Sequence, residues 1–446
     1  MNQFLRTALT GHSGASICVS NISDDDAIML SLSASEALRD IETATTALTR
    51  LTDTAASAED TVLIASHIHS ATPVELALLD NSLNHLCAGE GLTGSDIVPN
   101  MQSYEGSTVN MQSLKDMASS VWQAIKDLIG RIRDRIVKFF KSRWGDSAKL
   151  RKRLKSLIDR TEKMSGKSLE ESKTEIGREV RYLTVKGSLA RTDKDTLKAI
   201  SDYGTIASTL FETWIKNVNS FGGSLETEMN SYDASTKKSL GTISTLNTLA
   251  TQLLLTKINS IGKLFESTAS GDARSPEGIV RKVIHLPGNV GLFATDAFTS
   301  RDYPSVYEHA RLLSKARVAL EPSLPTMKDL EEKAEIDTWS IDNIRTMCNE
   351  LLSVLDVLDR YDDSKYMKDT EKTSDKITKA GDKLSKERQK QEEIAEAVNS
   401  DGVALQQYAS AYASWTAGGF ASFASNFNTY ANGVTVIASK CLSNYK

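Results

Sequence analysis

A run of apolar residues between positions 121 and 140 restricts the fold more than any other feature of this chain. Val121, Ile125, Leu128, Ile129, Ile132, Ile136, Phe139 and Phe140 follow one another at spacings of 4, 3, 1, 3, 4, 3 and 1. A strand alternates its faces every second residue, so only a helix gathers all eight on one side. A five-turn apolar face must then be taken out of water, against other elements or at a lipid surface. The rest of the sequence is compatible with a helical surround. Only 7 prolines interrupt 446 residues, and the abundant Ala, Leu, Lys and Glu are good helix formers. The expected fold class is mainly α, an elongated multi-helix bundle. One interruption stands out. Val283-Ile284-His285-Leu286 and Val290-Gly291-Leu292-Phe293 flank Pro287-Gly288-Asn289, which predicts a short β-hairpin-like insertion near 282–294.

Several function classes lose support at once. No apolar run reaches 18 residues, so no transmembrane helix is expected. Met1–Ser20 has one Arg and no sustained apolar stretch, unlike a secretory signal. Cys18, Cys87, Cys348 and Cys441 stand far apart without a CxxC, which argues against structural zinc and a disulfide framework. The chain lacks GxSxG, a Walker A loop and HExxH, the patterns that place a nucleophile, a phosphate cradle or a zinc pair. His67 and His69, two apart, point to different faces of a helix. His285 beside the Pro287-Gly288 turn reads as a strand residue, and Cys348 lies on an apolar helix face. The chain is therefore expected to be non-enzymatic, with no catalytic residue, no metal ligand and no cofactor.

Charge divides the chain unequally. Residues 1–105 carry 3 basic and 14 acidic residues, a net of −11, and no lysine; the remainder carries 50 basic and 44 acidic residues, a net of +6. So abrupt a change suggests two parts built for different neighbours. The boundary is also a break in pattern. Helical stretches are expected behind Asp24-Asp25-Asp26 to about Ala56, and after Thr72-Pro73 through Leu86. From Ala88 to Ser107, Gly89, Gly91, Gly94, Pro99 and Gly106 make the chain loop-like.

Four segments follow: 1–105, an acidic helical leader; 106–165, a basic amphipathic segment; 166–325, a helical body with the hairpin; and 326–446, a long charged helix and an aromatic C-terminal helix. Within them, 167–272 reads as successive helices, and Pro304–Leu320 and Met327–Leu358 as helices. Asp362–Glu396, dense in Lys, Glu and Asp with few large apolar side chains, reads as an exposed or partner-bound helix. In the tail, Tyr408, Tyr412, Trp415, Phe420, Phe423, Phe427 and Tyr430 recur at spacings of 4, 3, 5, 3, 4 and 3, one face of a helix disturbed at Gly418-Gly419.

The polar face of the 121–140 helix is basic: Lys126, Arg131, Arg133, Arg135, Lys138, Lys141 and Arg143. Lys149, Arg151, Lys152, Arg153 and Lys155 extend the run. Between Lys115 and Lys163 there are 15 basic and 6 acidic residues. Three readings fit. The helix lies on a membrane surface with its apolar face in lipid; its cations contact nucleic-acid phosphates; or it is a core helix whose outer face happens to be basic.

The order of these features resembles the internal head (inner body) virion proteins of phiKZ-type giant tailed bacteriophages. The lysine-free acidic leader, the break at Met101-Gln102-Ser103-Tyr104-Glu105 and the basic helix with Trp122, Phe139 and Phe140 carry the first half of it. The Leu286-Pro287-Gly288-Asn289 turn, the charged 362–396 helix and the aromatic tail carry the second.

The resemblance implies a structural protein of the capsid interior, made in the host cytoplasm and packaged with the genome after a prohead protease trims a propeptide. That protease would cut after Glu in a small-residue/any/Glu pattern, as in Ser103-Tyr104-Glu105 followed by Gly106. Ala34-Ser35-Glu36, Ser57-Ala58-Glu59, Ala88-Gly89-Glu90, Ser168-Leu169-Glu170, Ser224-Leu225-Glu226 and Ser385-Lys386-Glu387 also fit the pattern. The loop-like setting and the charge boundary favour Glu105, with Glu90 next. The implied partners are the protease, other capsid or inner-body proteins and packaged DNA bound without sequence preference. The acidic leader would screen or occupy the basic region during assembly, and the body would sit against DNA and leave with it at infection. A membrane-interacting translocator or toxin-like protein, and a coiled-coil scaffold oligomerising through 327–396, are the alternative readings.

Overall fold

The computed structural model describes residues 111–177, 179–232, 239–258, 281–295, 305–316, 318–322, 333–363, 365–389 and 396–446. The first element is a single helix, α1, from Met111 to Lys163. Arg160 and Lys163 lie in its last turn, where cations suit the negative end of the helix dipole, and Gly166, at φ +83°, follows as the chain leaves the helix. The apolar periodicity behaves as expected: Trp122, Ile125, Leu128, Ile129, Ile132, Ile136 and Phe139 are all buried. The side chains of Val121, Phe140 and Trp144 lie outside the described ones.

Beyond α1 the chain forms β1 (Lys173–Ile176), a single turn α2 (Val180–Leu183), and the short strands β2 (Thr184–Val185) and β3 (Ser188–Leu189). Helix α3 (Asp193–Ser208) starts at Thr192, whose hydroxyl oxygen accepts from the Asp195 amide. A π-helical segment, Thr209–Trp214, joins α3 to α4 (Ile215–Ser231). The wider turn shifts the phase of the buried face, so that Leu210, Phe211, Trp214 and Ile215 all point inward.

Next come α5 (Ser239–Ile258), β4 (Arg281–Leu286), β5 (Val290–Thr295), α6 (Val306–Ser314), β6 (Val318–Pro322) and β7 (Ala334–Asp337). Three helices complete the chain: α7 (Ile341–Asp363), α8 (Lys365–Gln389) and α9 (Glu396–Leu442).

The fold is mainly α, with small antiparallel sheets whose Ile176, Ile336, Leu286 and Leu292 join the core. The hairpin near 282–294 is present, Leu286 pairing with Val290 around Gly288 (φ +88°) and Asn289 (φ +53°). It is not an isolated hairpin, because β6 pairs with β5 to make three strands. The helix expected over Pro304–Leu320 therefore ends at Ser314. The open edge of β5 claims Val318–Pro322, a tertiary demand that local propensity does not register. Within the helix expected over Met327–Leu358, of which 327–332 lie outside the described residues, Ala334–Asp337 is instead a strand paired with Lys173–Ile176 and the helix runs from Ile341; the same pairing interrupts the helices expected over 167–272. The hairpin turn is held from outside. Thr184 carbonyl accepts from the Gly288 and Asn289 amides, and Asn289 Oδ1 accepts from the Gly187 amide of the β2–β3 turn.

The aromatic tail helix α9 lies at the centre, packing against α1, α4, α5, α6, α7 and α8 and strand β6. A helix packed against this many neighbours must be apolar or small over most of its surface, which explains the many buried alanines between Tyr408, Tyr412, Trp415, Phe423, Phe427 and Tyr430. Their polar ends are satisfied by other elements. Tyr412 donates to Asn219 Oδ1 of α4 at 2.8 Å, and Tyr408 and Tyr203 donate to Asn247 and Asn426 Oδ1 respectively.

Helix α8, expected to be exposed or partner-bound, packs one face inside the chain itself. Met367, Thr370, Ser374, Ile377, Gly381 and Leu384, at spacings of 3, 4, 3, 4 and 3, form a buried face against α1 and α4. Small residues let the helices approach closely, so the face needs few bulky side chains to pack.

Candidate functional site

The apolar and basic faces of α1 have separate fates. Its apolar stripe is part of the common core with α7, α8 and α9, and is therefore not presented to a lipid surface in this fold. Among the described residues no helix is long and apolar enough to cross a membrane.

Lys126, Arg133 and Arg151 of the basic face form ion pairs with α7 and α8. Lys126 Nζ lies 2.7 Å from Asp382 Oδ2 of α8. Arg133 pairs with Asp375 of α8 and with Asp134. Arg151 reaches Asp356 and Asp359 of α7, each at 2.7 Å, and Asp359 also accepts from the Ser147 hydroxyl at 2.8 Å. Burial opposes the charge of Arg151, yet the two carboxylates and their hydrogen bonds raise its pKa above the ordinary guanidinium value. These pairs fasten α1 to α7 and α8.

The remaining cations divide again. Arg135 and Lys138 are half-buried on the α1 surface, while Arg131 and Lys155 are exposed. The side chains of Lys141 and Arg143 lie outside the described ones. Lys149, Lys152 and Arg153 come together with Arg160 along one wall of a groove of about 700 Å³ between α1 and α9. Thr435, Val436 and Ser439 of α9 form the facing wall, and among the described residues no carboxylate lines it. Arg153 Nη1 donates to Asn432 Oδ1 at 2.9 Å, which holds its guanidinium beside α9.

Arg160, Thr435 and Ser439 escaped the reading of the sequence. Arg160 keeps the helical spacing of Lys149, Lys152 and Arg153 and was legible in principle. Nothing in the sequence places residues 435–439 beside it.

The groups considered for chemistry are unpromising. Burial pushes the Cys348 thiol up to about 12, which keeps it protonated and unreactive. Among the described residues no three His, Cys, Asp or Glu side chains gather as a metal site. His285 sits in β4, paired with Gly291. His67, His69 and the expected cleavage residues Ser103, Tyr104, Glu105 and Gly106 lie outside the described residues. Gly89-Glu90-Gly91-Leu92-Thr93-Gly94, also outside them, has the G-x-G-x-x-G spacing. It follows a helix-period segment rather than a strand, and without a strand before it the spacing carries no dinucleotide assignment.

The profile of phiKZ-like phage internal head proteins matches residues 24–438. The chain belongs to that family, and so is a structural protein of the phage capsid interior. No curated protein and no solved structure matches it.

Proposed function

We propose that this internal head protein is made in the host cytoplasm as a precursor, trimmed after Glu105 by a prohead protease and packed against the genome as the 106–446 body. The division of charge carries this reading. Cutting at the boundary removes −11 and leaves a body of +6 in a compartment filled with polyanion. The leader, residues 1–105, offsets the charge of the body during assembly. After cleavage the segments 106–165, 166–325 and 326–446 remain together with inner-body partners and DNA, and leave with the DNA at infection.

The first experiment is to determine the N-terminus of the protein recovered from native particles, by intact mass and terminal peptide sequencing. A start at Gly106 supports the reading, and a start at Gly91 moves the cut to Glu90. A start at Met1 or Asn2 removes it.

A further inference from the structure

We infer that the outward ridge of α8 is a contact surface for the phosphodiester backbone of duplex DNA, carried by Lys368, Lys372, Lys379 and Lys386. This rests on the reading that the protein lies against the packaged genome, and narrows that contact to one helix.

The phase of α8 fixes the ridge. At about 100° per residue, its buried positions Met367, Thr370, Ser374, Ile377, Gly381 and Leu384 fall within about 100° of one another. Lys368, Lys372, Lys379 and Lys386 fall within about 40° of one another on the opposite side. All four are exposed. Their line runs for about 27 Å along the helix, most of one turn of a duplex (about 34 Å).

The other charges of the helix lie to either side of this crest. Lys376 and Lys383, also exposed, lean toward α4, where they reach Glu226 at 3.3 Å and the Asn230 carbonyl at 2.5 Å. Exposed Asp375 and half-buried Asp382 lean toward α1 and pair with Arg133 and Lys126. Glu371 borders the seam between the same two helices, and Asp369 and Glu387 are half-buried beside the crest. A face that serves solubility alone intersperses both signs. Here one sign follows one line, which suits a row of phosphates.

No aromatic side chain stands on the crest, and stacking platforms are what single-strand readers use. Ammonium groups on flexible stems meet phosphates as point charges, so the contact ignores base sequence.

Two measurements test the ridge. The first is amine-reactive labelling of the full chain, and of the protein recovered from particles, with and without a mixed-sequence duplex at low salt. In whichever form binds, peptide mass spectrometry should show Lys372 and Lys379 protected by the duplex, and Lys167 and Lys194, exposed on other parts of the chain, still labelled. The second is fluorescence anisotropy at salt concentrations from about 50 to about 200 mM. Four lysine contacts give a log–log salt slope of up to about −3.6, or a loss of about 100-fold in affinity over that range. The double variant Lys372→Glu/Lys379→Glu should weaken binding at least about 10-fold at low salt, equally for all sequences, and flatten the slope by about 2. Lys167→Glu/Lys194→Glu, with the same change in net charge, should leave the slope unchanged. Circular dichroism checks that each variant is folded.

Equal losses in the two double variants, or equal protection of all four lysines, would overturn the ridge and leave only diffuse attraction to the body. DNA binding that neither variant alters would overturn it as well, while leaving the genome contact in place. If neither the full chain nor the particle-derived protein binds any duplex at low salt, the genome contact itself is wrong.

Discussion

The indole of Trp122 lies against the backbone of Gly381, so closely that a Cβ at position 381 would stand 1.8 Å from Trp122 Cζ2. The next residue completes the contact: Trp122 Nε1 donates to Asp382 Oδ1 at 3.0 Å, and Lys126 donates to both oxygens of the same carboxylate. The outer end of α1 is thus seated on α8 by a missing side chain and a shared acceptor. Gly381→Ala should destabilise the protein by about 1–3 kcal/mol or more, since the ring or the helix must move. Gly223→Ala is the control. It also lies inside a helix, but nothing stands within 4 Å of its added Cβ, so better helix propensity should leave stability unchanged or raise it by up to about 1 kcal/mol. Urea denaturation of the two variants measures the contrast.

The ion pairs of α1 differ in burial, and their loss should differ accordingly. The Asp359 side chain is 15% exposed and accepts from both Arg151 and Ser147. Asp359→Ala should cost about 2–3 kcal/mol, because it leaves a partly buried guanidinium with only the more exposed Asp356. Asp375, 55% exposed, pairs with an Arg133 that also holds Asp134. Asp375→Ala should cost no more than about 1 kcal/mol. Denaturant midpoints compared at low and high salt would also show the second effect screened away and the first retained.

The helical stripes of α1 and α9 were legible because periodicity is local: eight apolar positions in α1 and seven aromatic positions in α9 state their own face. Helix α8 reads from the sequence as exposed or partner-bound because half of its buried stripe is Thr370, Ser374 and Gly381, residues that look polar or neutral until a bulky partner such as Trp122 is placed over one of them. Strand β6 was misread because Val318–Pro322 takes its conformation from β5, not from its own propensity. The same limit applies to the groove. Lys149, Lys152 and Arg153 were visible as charge, but their wall partners Thr435 and Ser439 lie far along the chain. Nor does a count of cations show that Arg151 is tied to Asp359, 208 residues away, and Arg153 to Asn432 of α9.

Asp401, buried on α9 at 2% exposure, gives the protein a pH dependence. Burial pushes its carboxyl up to about 6, with the nearby Tyr307 hydroxyl offsetting part of the shift. A folded-state pKa above the unfolded value means that the native state holds the proton more tightly. The stabilisation is therefore complete below about pH 4 and is lost as pH rises through about 6. Asp401→Asn removes the cost of burying the charge. At about pH 8 the variant should be more stable than the parent by on the order of 1–3 kcal/mol, and the two stability curves should meet near pH 4. Urea denaturation across that range gives both curves. A parent curve that shows no decline relative to the variant between those limits would remove Asp401 as the cause.

The C-terminal residues cover one of the Glu motifs. Ser168 and Lys446 exchange two backbone hydrogen bonds of 3.1 Å, Glu170 donates its amide to the Asn444 carbonyl at 2.9 Å, and Leu169 pairs with Tyr445. Lys446 Nζ stands 2.8 Å from Glu170 Oε2, and Asn444 Nδ2 donates to the Lys173 carbonyl and to Thr174 Oγ1 of β1. Ser168-Leu169-Glu170 is thus in reach of solvent, with Leu169 45% exposed, but its backbone is paired and its acidic side chain is in a salt bridge. A protease needs an extended, unpaired segment and a free glutamate. The motifs at Ser224-Leu225-Glu226 and Ser385-Lys386-Glu387 are protected differently, inside α4 and α8. Limited digestion of the full chain with a glutamate-specific protease should spare all three. Deleting residues 444–446 should open the first, giving a cut after Glu170 that mass spectrometry identifies, while the two helical motifs stay intact. Equal cleavage after Glu170 with and without those residues would show that the pairing gives no protection.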